Sequence, residues 1–194
     1  MQNNFFVNKR TLKEGQTHID LLNGDDKDLF ERYASKKKIV IMDCDGVLST
    51  NESFYTKDGK VMKSYGCYDR EMLSYLEKYC GWEVLFVSMD KNGFEITKHR
   101  VNDMHYEVKL GGWEFRNNIV KEYNDKGYIT LFIGDSLSDI NALSSATYAG
   151  TVNNAPDLVK YYCNYASCKD GGYGGLGEVL YVMHDRIKNS CKEV

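Results

Sequence analysis

Pro156 is the only proline among 194 residues, so no proline-rich linker divides the chain. Long apolar runs are missing too: no stretch approaches the roughly 18 residues that a membrane-spanning helix needs. The six cysteines (Cys44, Cys67, Cys80, Cys163, Cys168 and Cys191) include no C-x-x-C pair and no zinc-ligand spacing. Cys44 sits between two acids, an awkward place for a disulfide, which predicts a reducing compartment. A basic excess is also lacking. With a formal net charge of -3, nothing suggests nucleic acid as the main partner. Residues 1–10 carry only Phe5-Phe6-Val7 as an apolar patch, which argues against a secretory signal. These absences predict a soluble, cytoplasmic protein with neither a membrane nor a nucleic acid as partner.

What remains is long enough for one domain with a real core. Residues 1–38 differ from the rest and read as an N-terminal extension, with residues 39–194 as the domain proper. The extension is polar, with a turn at Asn23-Gly24-Asp25-Asp26 and a short helix over 26–34. Asp25 or Asp26 would cap that helix, and Leu29, Phe30 and Tyr33 form its apolar stripe.

The most informative stretch is Ile39-Val40-Ile41-Met42-Asp43-Cys44-Asp45-Gly46, an apolar run that empties into two carboxylates and a glycine. Four apolar residues suit a buried strand, and Lys36-Lys37-Lys38 would stop it on the other side. Paired acids raise one another's pKa unless a cation lies between them, and a hard, oxygen-preferring ion such as Mg2+ would relieve that cost. Residues 54–56 and 61–65 flank Lys57-Asp58-Gly59-Lys60, a strong hairpin signal. A hairpin standing over the strand end would cover the site.

Strands and helices then alternate. A helix over 69–79 presents Met72, Leu73, Leu76 and Tyr79, and a buried strand over 83–87 closes at Ser88. A polar helix (93–102), a short strand (106–110) and a helix (114–125) follow. The strand 128–133 ends in Gly134-Asp135, before a helix opening at Ser138-Asp139. Residues 148–152 make one more short strand, and Pro156 suits a first helical position with Asn153 or Asn154 as cap. This alternation predicts an α/β fold with a parallel sheet, whose ligands bind at the carboxyl ends of the strands. Three strands thus deliver Asp43/Asp45, Ser88 and Asp135 to one edge, and Asp139 follows one helical turn after Asp135.

These motifs resemble the haloacid dehalogenase-like (HAD-like) phosphohydrolases over roughly residues 39–184: Asp43-x-Asp45-Gly-Val-Leu, a Ser closing the second strand, and Gly134-Asp135-x-x-x-Asp139. Within that superfamily the chain is similar to the small capless sugar-acid phosphatases of the 3-deoxy-manno-octulosonate 8-phosphate type. Further residues carry this likeness: the hairpin, Gly66-Cys67-Tyr68-Asp69, Asn153-Asn154-Ala155-Pro156 and Gly171-Gly172-Tyr173-Gly174-Gly175. The resemblance implies a Rossmann-like sheet flanked by helices without a large cap domain. It also implies a homo-tetramer in which a neighbour's hairpin or tail closes the site.

It further implies Mg2+-dependent hydrolysis of a small phosphorylated substrate, a sugar or sugar-acid phosphate. Asp43 would be the nucleophile and Asp45 the general acid and base, with its carbonyl on the metal. Asp135 would ligate Mg2+ with Asp43, and Asp139 would stand near the ligand shell. Ser88 would hold a phosphoryl oxygen, and so would a basic residue ahead of the last motif, either Lys109 or Arg116.

The chain also departs from these relatives. Ser49-Thr50-Asn51 stands where they carry Thr-Asp-Gly, and Met89-Asp90 follows Ser88 in place of Gly-Arg. Tyr68 and Gly177 occupy two positions where an Arg is expected. Arg is the natural bidentate partner of a carboxylate, so these losses weaken the case for an octulosonate while leaving phosphate chemistry intact. Two other readings of the fold are a non-catalytic regulatory or assembly module and a phosphotransferase. Only about 40 residues separate the first two motifs, too few for the sizeable cap usual in phosphotransferases.

Overall fold

A computed structural model describes residues 26–192 of the chain. The turn expected at residues 23–26, apart from Asp26, and the patch at residues 5–7 lie outside them. Helix α1 (Lys27–Ala34) opens the described chain, and strand β1 (Lys38–Asp43) follows it. The hairpin is β2 (Ser49–Thr56) and β3 (Gly59–Tyr65), longer than expected and turning at Lys57-Asp58. Then come α2 (Asp69–Cys80), β4 (Trp82–Ser88), α3 (Phe94–Asp103), β5 (Glu107–Leu110), α4 (Trp113–Asp125) and β6 (Ile129–Ile133). A 3-10 turn (Leu137–Asp139), α5 (Ile140–Ser145), β7 (Tyr148–Thr151), α6 (Asp157–Tyr161), β8 (Tyr165–Ala166) and α7 (Gly175–Ser190) complete the chain.

The main sheet is six-stranded in the order β5-β4-β1-β6-β7-β8, and every pairing is parallel. Successive side chains of a strand point to opposite faces, and β1 feeds two cores accordingly. Val40 and Met42 join Leu76 of α2 and Leu180 and Met183 of α7 on one side. Ile39 and Ile41 join Val120 of α4, Leu143 of α5 and Val159 of α6 on the other. With helices on both faces, β1 is buried along its whole length. That is why its sequence is a continuous apolar run rather than an alternation.

Several expectations change in detail. Lys38 lies inside β1 and is fully buried, because its ammonium caps the end of α1: Nζ donates to the carbonyls of Tyr33 (2.5 Å) and Lys36 (2.6 Å). Burial lowers its pKa to about 8. Asp26 is the α1 cap, accepting the Leu29 amide at 2.9 Å. Leu29 and Tyr33 of α1 lie in the same core as the sheet. The Tyr33 hydroxyl pairs with His184 Nδ1 (2.7 Å) and accepts from Trp82 Nε1 (2.6 Å), joining α1 to β4 and α7. In α2, Tyr79 stays 46% exposed, because the buried stripe runs through Leu73, Leu76 and Cys80. No helix among the described residues is long and apolar enough to cross a membrane.

Candidate active site

The parallel order sets the ends of β1, β4 and β6 side by side under a cleft of about 640 Å³, which Asp43, Asp90 and Asp135 line. Asp43, the last residue of β1, is buried and accepts the Cys44 amide and Arg116 Nη2, each at 2.7 Å and both at Oδ1. Arg116 rises from the first turn of α4, 2% exposed, and its other terminal nitrogen donates to Asp139 Oδ1. Asp139 closes a capping box in which its Oδ2 accepts the Ser136 amide (3.0 Å) and hydroxyl (2.7 Å). One guanidinium thus ties the strand end to the turn after β6.

Asp135 follows β6 on the same edge. Its Oδ2 accepts Asn51 (3.3 Å) and Asn154 (3.2 Å), whereas its Oδ1 is buried with no hydrogen-bond partner. Oxygens of Asp43, Asp135 and Asp139 lie within 4.8 Å of one another. Arg116 pairs with Asp43 and Asp139 but not with Asp135, so the fully ionised cluster carries two more negative charges than the guanidinium balances. Burial first, then Asp139, pushes the Asp135 carboxyl up to about 7. The same two causes raise Asp43, against the opposing pull of Arg116.

This donor set fits a divalent, oxygen-preferring cation. Its charge matches the excess, and Asp135 Oδ1 is an orphaned acceptor that such an ion would satisfy. Asp139 contributes less, since both of its oxygens already serve Arg116 and Ser136.

Gly46 makes the closeness of these groups sterically feasible. Its φ of +85° is left-handed, and a Cβ there would fall 2.1 Å from Asp135 Oδ2. Beneath it, Gly171 brings its backbone so near that a Cβ would meet the Gly46 carbonyl at 1.9 Å. The glycine-rich segment before α7 is therefore a floor for the acidic loop. Asn154 spans the two, donating to the Gly46 carbonyl (3.0 Å) and accepting the Gly171 amide (2.7 Å). It is not the cap of α6, where Pro156 itself holds the cap position.

Asp45 faces the hairpin. Its Oδ1 is 2.6 Å from Lys63 Nζ, and its Oδ2 receives a long bond of 3.4 Å from the Ser88 hydroxyl. Ser88 is buried at the end of β4, where its oxygen also accepts the Asp90 amide at 3.2 Å. Lys63 lies on β3 with its side chain wholly buried, and also reaches Asp90 (2.8 Å) and Thr97 Oγ1 (2.8 Å). Lys60 pairs with the same Asp90 oxygen at 2.5 Å. Partial burial would raise the Asp90 carboxyl, but hydrogen bonds from Lys60 and Lys63 outweigh it and bring its pKa down to about 2.

The structure therefore brings Asp43, Asp45, Asp135, Asp139, Ser88 and Arg116 to one place. It does not bring Lys109 there. That side chain is 41% exposed on the outer strand β5, 3.6 Å from Glu107, and does not line the cleft. Sequence reasoning missed Lys63, Asp90 and Asn51 as site residues. The signal for Lys63 is an inverted strand pattern, with Val61 and Met62 outside and the lysine inside. Asn51 is a non-glycine residue at φ +66°, a conformation that Asn tolerates better than most.

The fold is the HAD-like one, a parallel sheet with helices on both faces and a hairpin after the first strand. Solved structures agree. The chain superposes on the cobalt-bound deoxy-D-mannose-octulosonate 8-phosphate phosphatase of Haemophilus influenzae with a TM-score of 0.68 and 24% identity, over 82% of this chain and 93% of that one. It superposes on the Moraxella catarrhalis 3-deoxy-D-manno-octulosonate 8-phosphate phosphatase, in complex with magnesium, phosphate and KDO, with a TM-score of 0.67 and 21% identity, over 86% and 95%. A HAD-superfamily hydrolase of Legionella pneumophila gives a TM-score of 0.68 at 22% identity, over 85% and 91%. No family model and no curated protein sequence matches the chain.

Proposed function

We propose that the chain is a Mg2+-dependent phosphomonoesterase that hydrolyses a small phosphorylated metabolite, a sugar or sugar-acid phosphate, through an aspartyl phosphate on Asp43. The observation that carries this reading is the set of three buried carboxylates around one guanidinium, two negative charges in excess, at the edge where β1 and β6 end. The fold shared with a phosphatase solved in complex with magnesium, phosphate and KDO supports it.

Asp43, with the Asp135 carboxylate and the Asp45 carbonyl, would hold the ion, which supplies charge neutralisation and polarisation of a phosphoryl oxygen. In the first step a carboxylate oxygen of Asp43 attacks phosphorus, and the bond to the leaving alcohol breaks as Asp45 delivers a proton to the departing oxygen. In the second, Asp45 takes a proton from water as that water attacks the same phosphorus. The Asp43–phosphorus bond breaks, phosphate leaves, and Asp45 is again protonated.

Arg116 faces the cleft and would bind the equatorial phosphoryl oxygens while fixing Asp43. The long Ser88–Asp45 bond leaves the Ser88 hydroxyl free to turn toward the phosphoryl group. The exposed Phe54, Tyr55, Val61 and Met62 of the hairpin support its pairing with further copies of the chain as a homo-tetramer.

The test is phosphate release from a panel of sugar phosphates, sugar-acid phosphates and nucleotides, with and without Mg2+. Asp43→Asn should lower kcat by about 10⁴-fold or more. Activity that survives this substitution would remove Asp43 as nucleophile.

A further inference from the structure

Among the described residues, the cleft above Asp43 has polar and apolar walls but no cation left over. Its two basic lining residues, Arg116 and Lys60, are both committed, Arg116 to Asp43 and Asp139 and Lys60 to Asp90. Lys63 lies behind the wall with its side chain fully buried, shared between Asp45 and Asp90. Four carboxylates, Asp43, Asp45, Asp90 and Asp135, line the same space. Away from the phosphoryl end, the lining is neutral. Ser53 and Ser138 offer hydroxyls, and Met89, Leu137 and Pro156 offer apolar surface.

Asp90 is held firmly in that wall. Its Oδ1 accepts the Gly93 amide at 3.1 Å, and its Oδ2 is gripped by both lysines. A Cβ on Gly93 would fall 2.4 Å from Asp90 Oδ2 and 2.6 Å from Lys63 Cε, so the cluster fills the space this glycine leaves. Two carboxylates, Asp45 and Asp90, balance two lysines, so a substrate carboxylate entering the cleft would find Lys60 already paired with Asp90 and would add an uncompensated charge. Like-charge juxtaposition is strongly unfavourable, whereas hydroxyls and C–H faces match the remaining lining.

We infer that the leaving group is an uncharged polyhydroxylated alcohol, a sugar or polyol, and that Asp90 is the specificity residue that disfavours carboxylate-bearing analogues. This deepens the phosphomonoesterase reading and rests on it.

The experiment compares D-glucitol 6-phosphate with D-gluconate 6-phosphate, six-carbon esters that differ only at C1, a hydroxymethyl against a carboxylate. With Mg2+ present, kcat/KM should favour the glucitol ester by about tenfold or more. Asp90→Asn removes the charge and releases Lys60, so the preference should shrink about tenfold or reverse. Lys60→Gln, which leaves Asp90 with one lysine fewer, should widen it. A wild-type preference for the gluconate ester, or a ratio that neither variant moves, overturns the inference while leaving the phosphatase reading intact. Failure of the wild type to release phosphate from these esters or from p-nitrophenyl phosphate overturns both.

Discussion

Asp135→Asn should stabilise the metal-free protein at the expense of its chemistry. The Asp135 carboxyl, almost wholly buried, has its pKa raised from 3.8 to about 7. Between those values the native state holds a proton that the unfolded chain has released, so stability falls as pH rises through the interval. At 1.36 kcal/mol per pH unit, a span from 3.8 to about 7 corresponds to about 4 kcal/mol, present below pH 3.8 and lost above pH 7.

Asparagine keeps the shape without the charge. Its carbonyl can accept from Asn51 and Asn154 where Oδ2 does now, and its amide would point at the orphaned Oδ1 position. In EDTA at pH 8 the variant should therefore exceed the wild type by up to about 4 kcal/mol, and the difference should vanish near pH 4. Urea unfolding followed by tryptophan fluorescence reads this directly, since Trp82 is buried in the core. Mg2+ at a hundredfold over its Kd should return about 2.7 kcal/mol to the wild type and nothing comparable to the variant. Parallel pH profiles of the two proteins in EDTA would refute the reasoning, because they would show that no buried charge at this position titrates.

Arg116→Met should lower kcat by about 10²–10³-fold and, by leaving Asp43 and Asp139 buried without a counter-charge, cost about 3–5 kcal/mol in chemical denaturation. Lys63→Met should discriminate by leaving group. Alkyl phosphates, which need a proton from Asp45 in the first step, should slow by about 10²-fold in a single turnover, while p-nitrophenyl phosphate should keep its burst of p-nitrophenolate and slow only in the turnover that follows, where Asp45 acts as base. Tyr33→Phe should cost about 1–3 kcal/mol in thermal or urea unfolding with kcat unchanged, since it leaves Trp82 Nε1 and His184 Nδ1 without the hydroxyl they share.

The parallel sheet was legible because β1, β4 and β6 are continuous apolar runs, each ending abruptly in an acid or a serine, and such runs have few alternatives. The convergence of Asp43, Asp135 and Asp139 follows from strand order alone, since β1 and β6 are neighbours. Less legible were residues whose roles depend on distant segments. Asn154 reads locally as a helix cap beside Pro156, yet it is drawn to Gly46 and Gly171, far away in sequence. Lys63 looks like an exposed strand lysine until α3 and the acidic loop close over it. Lys38 reads as part of a charged stop, and only the carbonyls at the end of α1 make its burial affordable. Helix register counted back from Gly127 favours Arg116 over Lys109 only slightly, because their difference lies in which side of β5 and α4 faces the cleft.

The β2–β3 hairpin shares no backbone ladder with the six-stranded sheet. Side chains at its base hold it to α3: Lys63 and Tyr65 both reach Thr97 Oγ1, and Arg100 donates to the Gly66 carbonyl. The tip around Lys57-Asp58 takes no part in that anchoring. The hairpin is thus two regions with different tolerance to change. Insertions, deletions or grafted sequences at the tip should reshape what lies above the cleft while Asp45 keeps its place. Tip length is therefore a natural variable for redirecting the protein toward larger or smaller esters without rebuilding its reactive centre.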